Sequence, residues 1–343
     1  MQVINFQDLK LPQKKDEEFL RIDFSSLFSY DFKSVKTSNF SLDLKSQKDE
    51  NSYDSILFDI TKNLDSNQKI LTISEDTKEP IILIHTLNES EIAFTNSLKI
   101  EVKDGVKAQI IEVFNSNSTN SAFFVNRFLD LGKKANLEYV KVQDIVLENS
   151  IIFSLKTSQD DKSNLEITNF EFGDGFVVNN FENNINSQDI NYELNGLLKL
   201  KDKANSSTLV KTVHNNKSSR SNINYKNSLK DNSRAVVKIK SIVNQEGLYS
   251  KAFQNCNSIL LSDDATIFAQ PHLEIYIDEL EASHGTTTGT LNKEQLLYLT
   301  ARGIPKDKAY DMLLVAFESS IRNNLKNEKI KEFIDNYKRE KYV

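Results

Sequence analysis

Residues 103–113 read KDGVKAQIIEV, and this stretch sets the pattern from which the fold can be predicted. A polar cluster leads to a small residue, Ala108, and then to an apolar run rich in isoleucine and valine, which is typical of a turn followed by a strand. The same order recurs along the chain, with the anchor residue at Ala135, Asn164, Ala204, Ala235 and Ala265. The anchors follow one another at nearly regular intervals, with one longer step between Asn164 and Ala204.

A period of about 30 residues with several short strands in each repeat predicts a β-solenoid, in which every coil buries its apolar face on the next. We therefore predict a mainly β chain with a parallel β-helix core over residues 69–289. Helical or mixed segments are expected before it, over residues 1–68, and after it, over residues 290–343. A β-sandwich also has regular short strands, so the spacing alone leaves that alternative open.

The flanking segments carry helical signals. We expect a short helix with an aromatic face near Phe19, and a second helix where Tyr53, Ile56, Leu57 and Ile60 share one face. Past Gly289 the sequence has a capping residue (Asn292), a helix-ending glycine (Gly303), a helix-starting proline (Pro305) and two amphipathic stretches. This C-terminal module either caps the open end of the solenoid or offers a docking surface to another protein.

Composition excludes several classes of protein. The 343 residues carry a formal net charge of −6 with acids and bases interspersed, which argues against a nucleic-acid binder. Apolar runs stay far shorter than the ~20 residues of a membrane span. The first residues lack the shape of a signal peptide, and a single cysteine fits a reducing compartment. We therefore expect a cytoplasmic protein.

Common chemical motifs are missing. The sequence has no GxxxxGK[ST], and Val178 stands where a dinucleotide fingerprint beginning at Gly173 and Gly175 would need its third glycine. One cysteine supplies neither a CxxC pair for zinc nor, alone, the ligands of an iron–sulfur cluster. No set of nucleophile, base and orienting group emerges from the spacing.

Two residues remain as candidates for chemistry. His284 lies in ASHGTTTG, where two glycines and several hydroxyls could orient an imidazole as a metal ligand or catalytic group, although a structural histidine fits as well. Cys256 could act as a thiolate nucleophile or sulfur carrier, or simply as a small buried residue. His85, His214 and His272 are interpreted as structural or exposed.

Several segments together resemble the SufB/SufD family of SUF iron–sulfur cluster assembly proteins. They are PHLEIYIDELEASHGTTTG (residues 271–289), LNKEQLLYLTARGI (291–304), AYDMLLVAFESSI (309–321), the spaced His214, Ser221 and Tyr225-Lys226, and LPQKKDEEF (11–19). The chain resembles the SufD branch more than the SufB branch. It is short, its N-terminal region contains KKDEEF (residues 14–19), and Gly285 follows His284 where SufB has an acidic residue.

The resemblance implies a right-handed parallel β-helix and a non-enzymatic subunit that pairs with a SufB-like chain. It also implies that the C-terminal helices bind a SufC-like ABC ATPase, for which Leu297, Ile304, Pro305, Met312 and Phe317 are the candidates. A transient iron–sulfur cluster would form at the interface with the SufB-like chain, with His284 as a ligand, and no cofactor would be bound permanently. An exposed β edge also favours a homodimer when the SufB-like chain is absent.

The sequence departs from the family pattern at Leu280, which replaces a valine, near Val237–Lys240, where a glycine is missing, and at two positions that concern cysteine. Ala282 replaces a cysteine that many members carry, and Cys256 falls where SufB, rather than SufD, has its functional cysteine. Two other functions stay open: a purely structural adapter that ligates nothing, and a β-helix enzyme acting on polysaccharide. The absence of tryptophan and of a recognisable carboxylate set argues against the enzyme.

Overall fold

The computed structural model describes residues 11–13, 15–28, 30, 32–37, 40, 42 and 44–342, with side-chain packing left out for Ser26 and for residues 338–342. Within these residues the strands form two sheets, A and B, and the chain passes from one sheet to the other in each turn of the coil. The strands of sheet A are β1 (Ser34–Thr37), β2 (Lys45–Lys48), β3 (Asn67–Ile73), β5 (Ile92–Val102), β7 (Ser121–Leu131), β9 (Asn149–Gln159), β11 (Phe176–Ile185), β13 (Asn205–His214), β15 (Arg234–Val243) and β17 (Thr266–Ile275). The strands of sheet B are β4 (Ile81–Leu87), β6 (Lys107–Ser116), β8 (Asn136–Ile145), β10 (Asn164–Gly173), β12 (Asn191–Leu200), β14 (Arg220–Leu229), β16 (Lys251–Leu260) and β18 (Glu281–Gly289).

Consecutive strands alternate between the sheets, and each strand pairs in parallel with the strand two positions along the chain. This is a parallel β-helix, so the solenoid prediction is confirmed and the sandwich alternative is wrong. Each turn contains two long strands, such as β13 and β14, rather than several short ones. The exceptions are β1, which pairs in parallel with β5, and antiparallel β2, which pairs with β3 before the coil begins.

The repeat is more regular than the anchor residues suggested. The strand register pairs each residue with its equivalent one turn later, for example Ser150 with Phe176 and Arg234 with Thr266. The longer step in the anchor series arose because Asn164 begins a strand of sheet B whereas Ala204 precedes a strand of sheet A. Strand β12 of sheet B lies between these two residues, and the anchor series omitted the repeat that begins with it.

Both faces of most strands are buried, which explains why they read as continuous apolar runs. Inward side chains of the two sheets form the main core inside the coil. The outer face of sheet A packs against Phe19, Ile22, Phe24, Leu27 and Phe32 of the N-terminal segment. The outer face of sheet B packs against Ile321, Leu325, Ile330 and Ile334 near the C-terminus.

The N-terminal segment is less helical than predicted. Residues 15–21 form turns, with hydrogen bonds such as Phe19 N to Asp16 O at 2.9 Å, and among the described residues from 11 to 37 only the single turn α1 (Ser25–Phe28) is helical. Arg21 has a φ of 76°, which interrupts any helix there. The aromatic residues instead pack across sheet A. The second predicted helix is confirmed as α2 (Ile56–Leu64), capped by Ser55.

The C-terminal helices are confirmed as α3 (Lys293–Ala301), α4 (Lys306–Asn324) and α5 (Glu328–Tyr342). Asn292 caps α3 by accepting from the backbone of Glu294 and Gln295. The capping interpretation is wrong, because α4 and α5 lie along the outer face of sheet B instead of over the end of the coil. Glu318 fixes α4 by accepting from Ser228 Oγ at 2.7 Å and from Lys199 Nζ at 3.1 Å.

In the part of the chain that the structure describes, no helix is both long and apolar enough to cross a membrane.

Candidate functional site at the open end of the coil

The last turn of the coil, β17 and β18, forms the edge of both sheets. One side of each strand therefore carries backbone N–H and C=O groups that have no neighbouring strand among the described residues. Most residues of β18 are exposed, and Ile275 and Tyr276, at and just past the end of β17, are 43% and 59% exposed. This turn presents a surface that another strand can pair with.

His284 lies on the inner face of this turn. The register pairs Gln254 with His284 and Cys256 with Thr286, and the preceding strand pairs Ile223 with Gln254 and Tyr225 with Cys256. Since side chains alternate along a strand, His284 continues an inward-facing row of the coil. It is nevertheless exposed, because the coil ends at its strand.

The structure brings the two candidate residues of the sequence together. Cys256 and His284 lie on adjacent strands, face the same side and are offset by two positions. A strand separation of about 4.8 Å and a rise of about 6.6 Å over that offset place their Cα atoms about 8 Å apart. Cys256 is the deeper of the two, with 1% of its surface exposed, while His284 is at the surface.

The surroundings of Cys256 favour a thiol over a thiolate. Burial raises the pKa of Cys256 to about 11, although hydrogen bonds from Asn227 and Ser258 oppose the shift. Asn227 Nδ2 donates to the sulfur at 3.3 Å. At neutral pH this side chain is therefore a buried thiol, which is a weaker nucleophile than an exposed thiolate.

A glycine shapes the layer beneath Cys256. Gly196 pairs with Tyr225, which in turn pairs with Cys256, and a Cβ atom added to Gly196 would lie 2.0 Å from Tyr225 Cε1. The tyrosine ring therefore lies across the glycine inside the coil. The Tyr225 that the family pattern highlighted is a buried core residue.

The other histidines of the family pattern and of β17 have different roles. His214 is fully buried at the end of β13, and its Nε2 lies 2.8 Å from Ser221 Oγ, so the spaced His214 and Ser221 of the family pattern are hydrogen-bonded. Burial lowers the pKa of His214 to about 4. His272 is on the outer face of β17, with its Nε2 3.3 Å from Glu274 Oε1.

Sequence reasoning missed a buried charged cluster near the start of the coil. The Glu112 carboxylate accepts hydrogen bonds from Arg127 Nε at 2.9 and 3.0 Å, and it also contacts His85 Nε2 at 2.8 Å and the hydroxyl of Tyr139. Burial alone would raise the pKa of Glu112, but Arg127 and His85 hold it well below its usual range. The alternation of side chains along a strand could have revealed this cluster. Glu112 and Arg127 occupy inward-facing positions of runs whose other inward residues are apolar.

A second buried pair follows in the next turns. Lys141 Nζ donates to Asn169 Oδ1 at 3.0 Å and lies 4.2 Å from the centre of the Phe153 ring, while Glu171 accepts from Asn179 Nδ2 at 2.8 Å. Burial lowers the pKa of Lys141 to about 7 and raises that of Glu171. The interior of this coil is therefore partly polar.

The residues that the structure describes contain no group of three or more histidine, cysteine, aspartate or glutamate side chains that could hold a metal ion.

The five residues that the family resemblance assigned to ATPase binding lie on or near α3 and α4. Leu297 and Met312 are 69% and 51% exposed, Pro305 is exposed, and Ile304 is half-buried. Phe317 is half-buried against sheet B, where Lys226 Nζ lies 4.6 Å from its ring centre. Two further exposed apolar side chains on these helices are Tyr298 and Val315.

Comparison with known proteins agrees with this architecture. Residues 85–317 match the model of the SUF system FeS cluster assembly SufBD core domain. The iron–sulfur cluster assembly protein SufD of Escherichia coli is 26% identical over 239 residues, which cover 68% of this chain and 55% of that protein. SufD of Plasmodium falciparum is 29% identical over 242 residues, covering 68% of this chain and 16% of that protein.

A SufBD family protein of Methanothermobacter thermautotrophicus is 41% identical over a shorter segment of 69 residues, covering 20% of this chain and 17% of that protein. The chain spans about half the length of the Escherichia coli relative and a small part of the Plasmodium one. The family model covers well over half of the chain. The chain therefore belongs to the SufBD core family of the SUF iron–sulfur cluster assembly system, and within that family it is similar to the proteins named SufD.

Proposed function

We propose that this chain is a non-ATPase scaffold subunit of SUF iron–sulfur cluster assembly. In this proposal its open end pairs with a SufB-like chain, and α3 and α4 bind a SufC-like ATPase. The observation that carries the proposal is the uncovered last turn, with His284 on its inner face. The single cysteine of the sequence fits a cytoplasmic location.

Strand addition is the mode of pairing that the open end supports. The free edges of β17 and β18 can accept strands from a partner, with backbone hydrogen bonds providing affinity and side chains providing specificity. A partner that continues the coil would bury His284 and place its own side chains opposite. The same edge would let two copies of this chain pair when no SufB-like chain is present.

His284 is proposed as this chain's ligand to a nascent cluster, which is cargo rather than a resident cofactor. A neutral imidazole is a good iron ligand, and His284 is an exposed inward-facing residue of the last turn that can supply one. The partner supplies the other ligands. Cys256 is assigned no ligand role, because its thiol is buried and its pKa is raised.

Glu318 gives the ATPase a mechanical connection to the coil. The exposed apolar residues lie on α3 and the first half of α4, whereas Glu318, in the second half of α4, contacts Lys199 of β12 and Ser228 of β14. A displacement of α4 would therefore act on sheet B close to the open edge. We propose that ATP-driven movement reshapes the last turn by this route.

The test is reconstitution with the SufB-like and SufC-like proteins of the same organism. Size-exclusion chromatography with light scattering should show a complex for the parent chain, His284→Ala and the matched control His272→Ala. Cluster formation, followed by absorbance, should be lost only in His284→Ala and retained in Cys256→Ser. Normal cluster formation by His284→Ala would refute the ligand role, and failure to form any complex would refute the scaffold role.

A purely structural adapter is the second candidate. It is favoured by the lack of a complete set of metal ligands in the described part of this chain. It predicts the same complex, but cluster formation would be unaffected by His284→Ala. Replacement of Leu297 and Met312 by serine should abolish ATPase binding under either candidate, because both residues present exposed apolar surface.

A further inference from the structure

A cleft of about 440 Å³ lies on the outer face of sheet A, under the N-terminal segment and beside the start of α2. It is separate from the candidate site, because His284 faces the interior of the coil in sheet B. Its volume is within the usual range for small-molecule sites. Its lining includes Glu18, Glu182, Leu209, Lys211, Lys238 and Lys240.

The floor of the cleft consists of two rows of outward side chains on β11, β13, β15 and β17. The strand register aligns the first row as Asn180, Leu209, Lys238 and Gln270, and the second as Glu182, Lys211, Lys240 and His272. Neighbours within a row are about 4.8 Å apart at the backbone. The rows place carboxylate, amine and apolar groups within the span of one small molecule.

Two of the floor lysines already have partners. Lys238 Nζ donates to the carbonyl oxygens of Glu17 at 2.6 Å and Glu18 at 3.1 Å, which fastens the N-terminal segment to the sheet. Lys240 Nζ forms an ion pair of 2.6 Å with Glu274. These lysines build the cleft and are not available to a ligand.

Glu182 is the most buried charged group of the cleft, with 5% of its surface exposed. It accepts one long hydrogen bond of 3.4 Å from Asn180 Nδ2, and no described cation lies within ion-pair distance, although Lys211 is its cross-strand neighbour. Glu18, at the rim, accepts from Ser55 Oγ at 3.1 Å. Burial raises the pKa of both carboxyls, and the charge of the nearby Lys211 lowers it only in part.

We propose that this cleft binds a small zwitterion with an ammonium and a carboxylate group, as α-amino acids have. The ammonium group lies between Glu18 and Glu182, the carboxylate contacts Lys211, and an apolar side chain packs on Leu209. This inference is independent of the scaffold role proposed above.

Simpler ligands fit the cleft less well. An anion alone would meet Glu18 and Glu182, and a cation alone would meet Lys211. A metal ion is disfavoured, because the described residues contain no cluster of metal-binding side chains. A molecule with both charges complements the two carboxylates, Glu18 and Glu182, and the amine of Lys211.

The experiment is isothermal titration calorimetry of the full chain with L-leucine and its two single-charge fragments. The fragments are 3-methylbutylamine, which lacks the carboxylate, and 4-methylpentanoate, which lacks the ammonium group. L-Leucine should bind, and each fragment should bind at least tenfold more weakly. Absence of binding by L-leucine at about 10 mM, or equal binding by either fragment, would overturn the proposal.

Variants locate the site. Glu182→Gln and Lys211→Gln should each weaken L-leucine binding at least tenfold, because each removes a charge-assisted hydrogen bond. Exposed Glu246→Gln and Lys230→Gln are the matched controls and should bind like the parent chain. Glu182→Gln preserves side-chain shape, so its melting temperature should not fall. Unchanged affinity in both cleft variants would rule out this cleft as the site.

Discussion

The first turns and the last turn of the coil share one backbone repeat but differ in what their inner positions contain. In the first turns, Glu112 and Arg127 form a buried ion pair inside the coil, and Phe40 from the N-terminal segment packs against the His85 ring at 5.3 Å. In the last turn, the inner positions of β18 hold His284 and threonines that remain exposed. The N-terminal segment packs onto the first end, whereas β17 and β18 at the other end have no neighbouring strand on one side among the described residues.

This difference between the two ends predicts a difference in how much a substitution changes the free energy of unfolding. A buried ion pair that loses one partner leaves an uncompensated charge in the core, whereas exposed side chains change stability little when replaced. Substitutions should therefore be costly at the closed end and nearly neutral at the open end. The following predictions compare buried positions inside the coil with the exposed last turn, in order of expected size.

Arg127→Met should have the largest effect. It leaves Glu112 without its cation, and we expect a loss of about 3–5 kcal/mol in the free energy of unfolding, measured by urea denaturation. Lys133→Met, at an exposed turn, is the control and should change the free energy by less than about 0.5 kcal/mol. A loss below about 1 kcal/mol for Arg127→Met would show that the cluster contributes little.

Acidification should destabilise the interior through His214. The pKa of His214 is about 4 in the folded chain and 6.5 ordinarily. As the pH falls, the unfolded chain takes up the proton first, so stability that is complete above pH 6.5 is lost towards pH 4. The loss amounts to about 3 kcal/mol for this group.

The measurement is the difference between urea-unfolding curves of the parent chain and His214→Gln at several pH values. Other groups titrate in the same range, so the difference between the two proteins is the informative quantity. It should shrink as the pH falls from 6.5 to about 4. A constant difference would mean that His214 keeps its ordinary pKa.

Gly196→Ala should have an intermediate effect. The new Cβ would collide with the Tyr225 ring, and overpacking of this kind costs about 1–3 kcal/mol. Gly289→Ala at the end of β18 is the matched control, because nothing lies within 4 Å of its added Cβ. Thermal unfolding of both variants should show a loss only for Gly196→Ala.

His284→Ala should have the smallest effect on stability, within about 0.5 kcal/mol of the parent chain. The residue is exposed on an edge strand, so its removal leaves no cavity. Chemical denaturation of the isolated chain measures this directly. A loss of more than about 1 kcal/mol would indicate a structural role for the imidazole and would complicate its assignment as a ligand.

Much of the architecture was accessible from the sequence. The repeated order of polar cluster, small residue and apolar run predicted a solenoid because each coil must bury the same face on its neighbours. The helix signals at Asn292, Gly303 and Pro305 are local, and the observed helices follow them. The turns near Phe19 were interpreted as a helix because the aromatic spacing is similar, whereas packing on sheet A decides their actual path.

The sequence by itself determined the repeat and the helices that follow it, since these depend on local periodicity and turn chemistry, and it favoured a parallel coil over a β-sandwich, which the strand pairing then excluded. Only the tertiary structure decided which residues meet: Glu112 with Arg127, His214 with Ser221, and Glu318 with Lys199. It also decided that the C-terminal helices cover a face and leave the end of the coil open. The physical reason is that contacts between turns depend on register and on which face each segment covers, and these are set by the packing of distant segments.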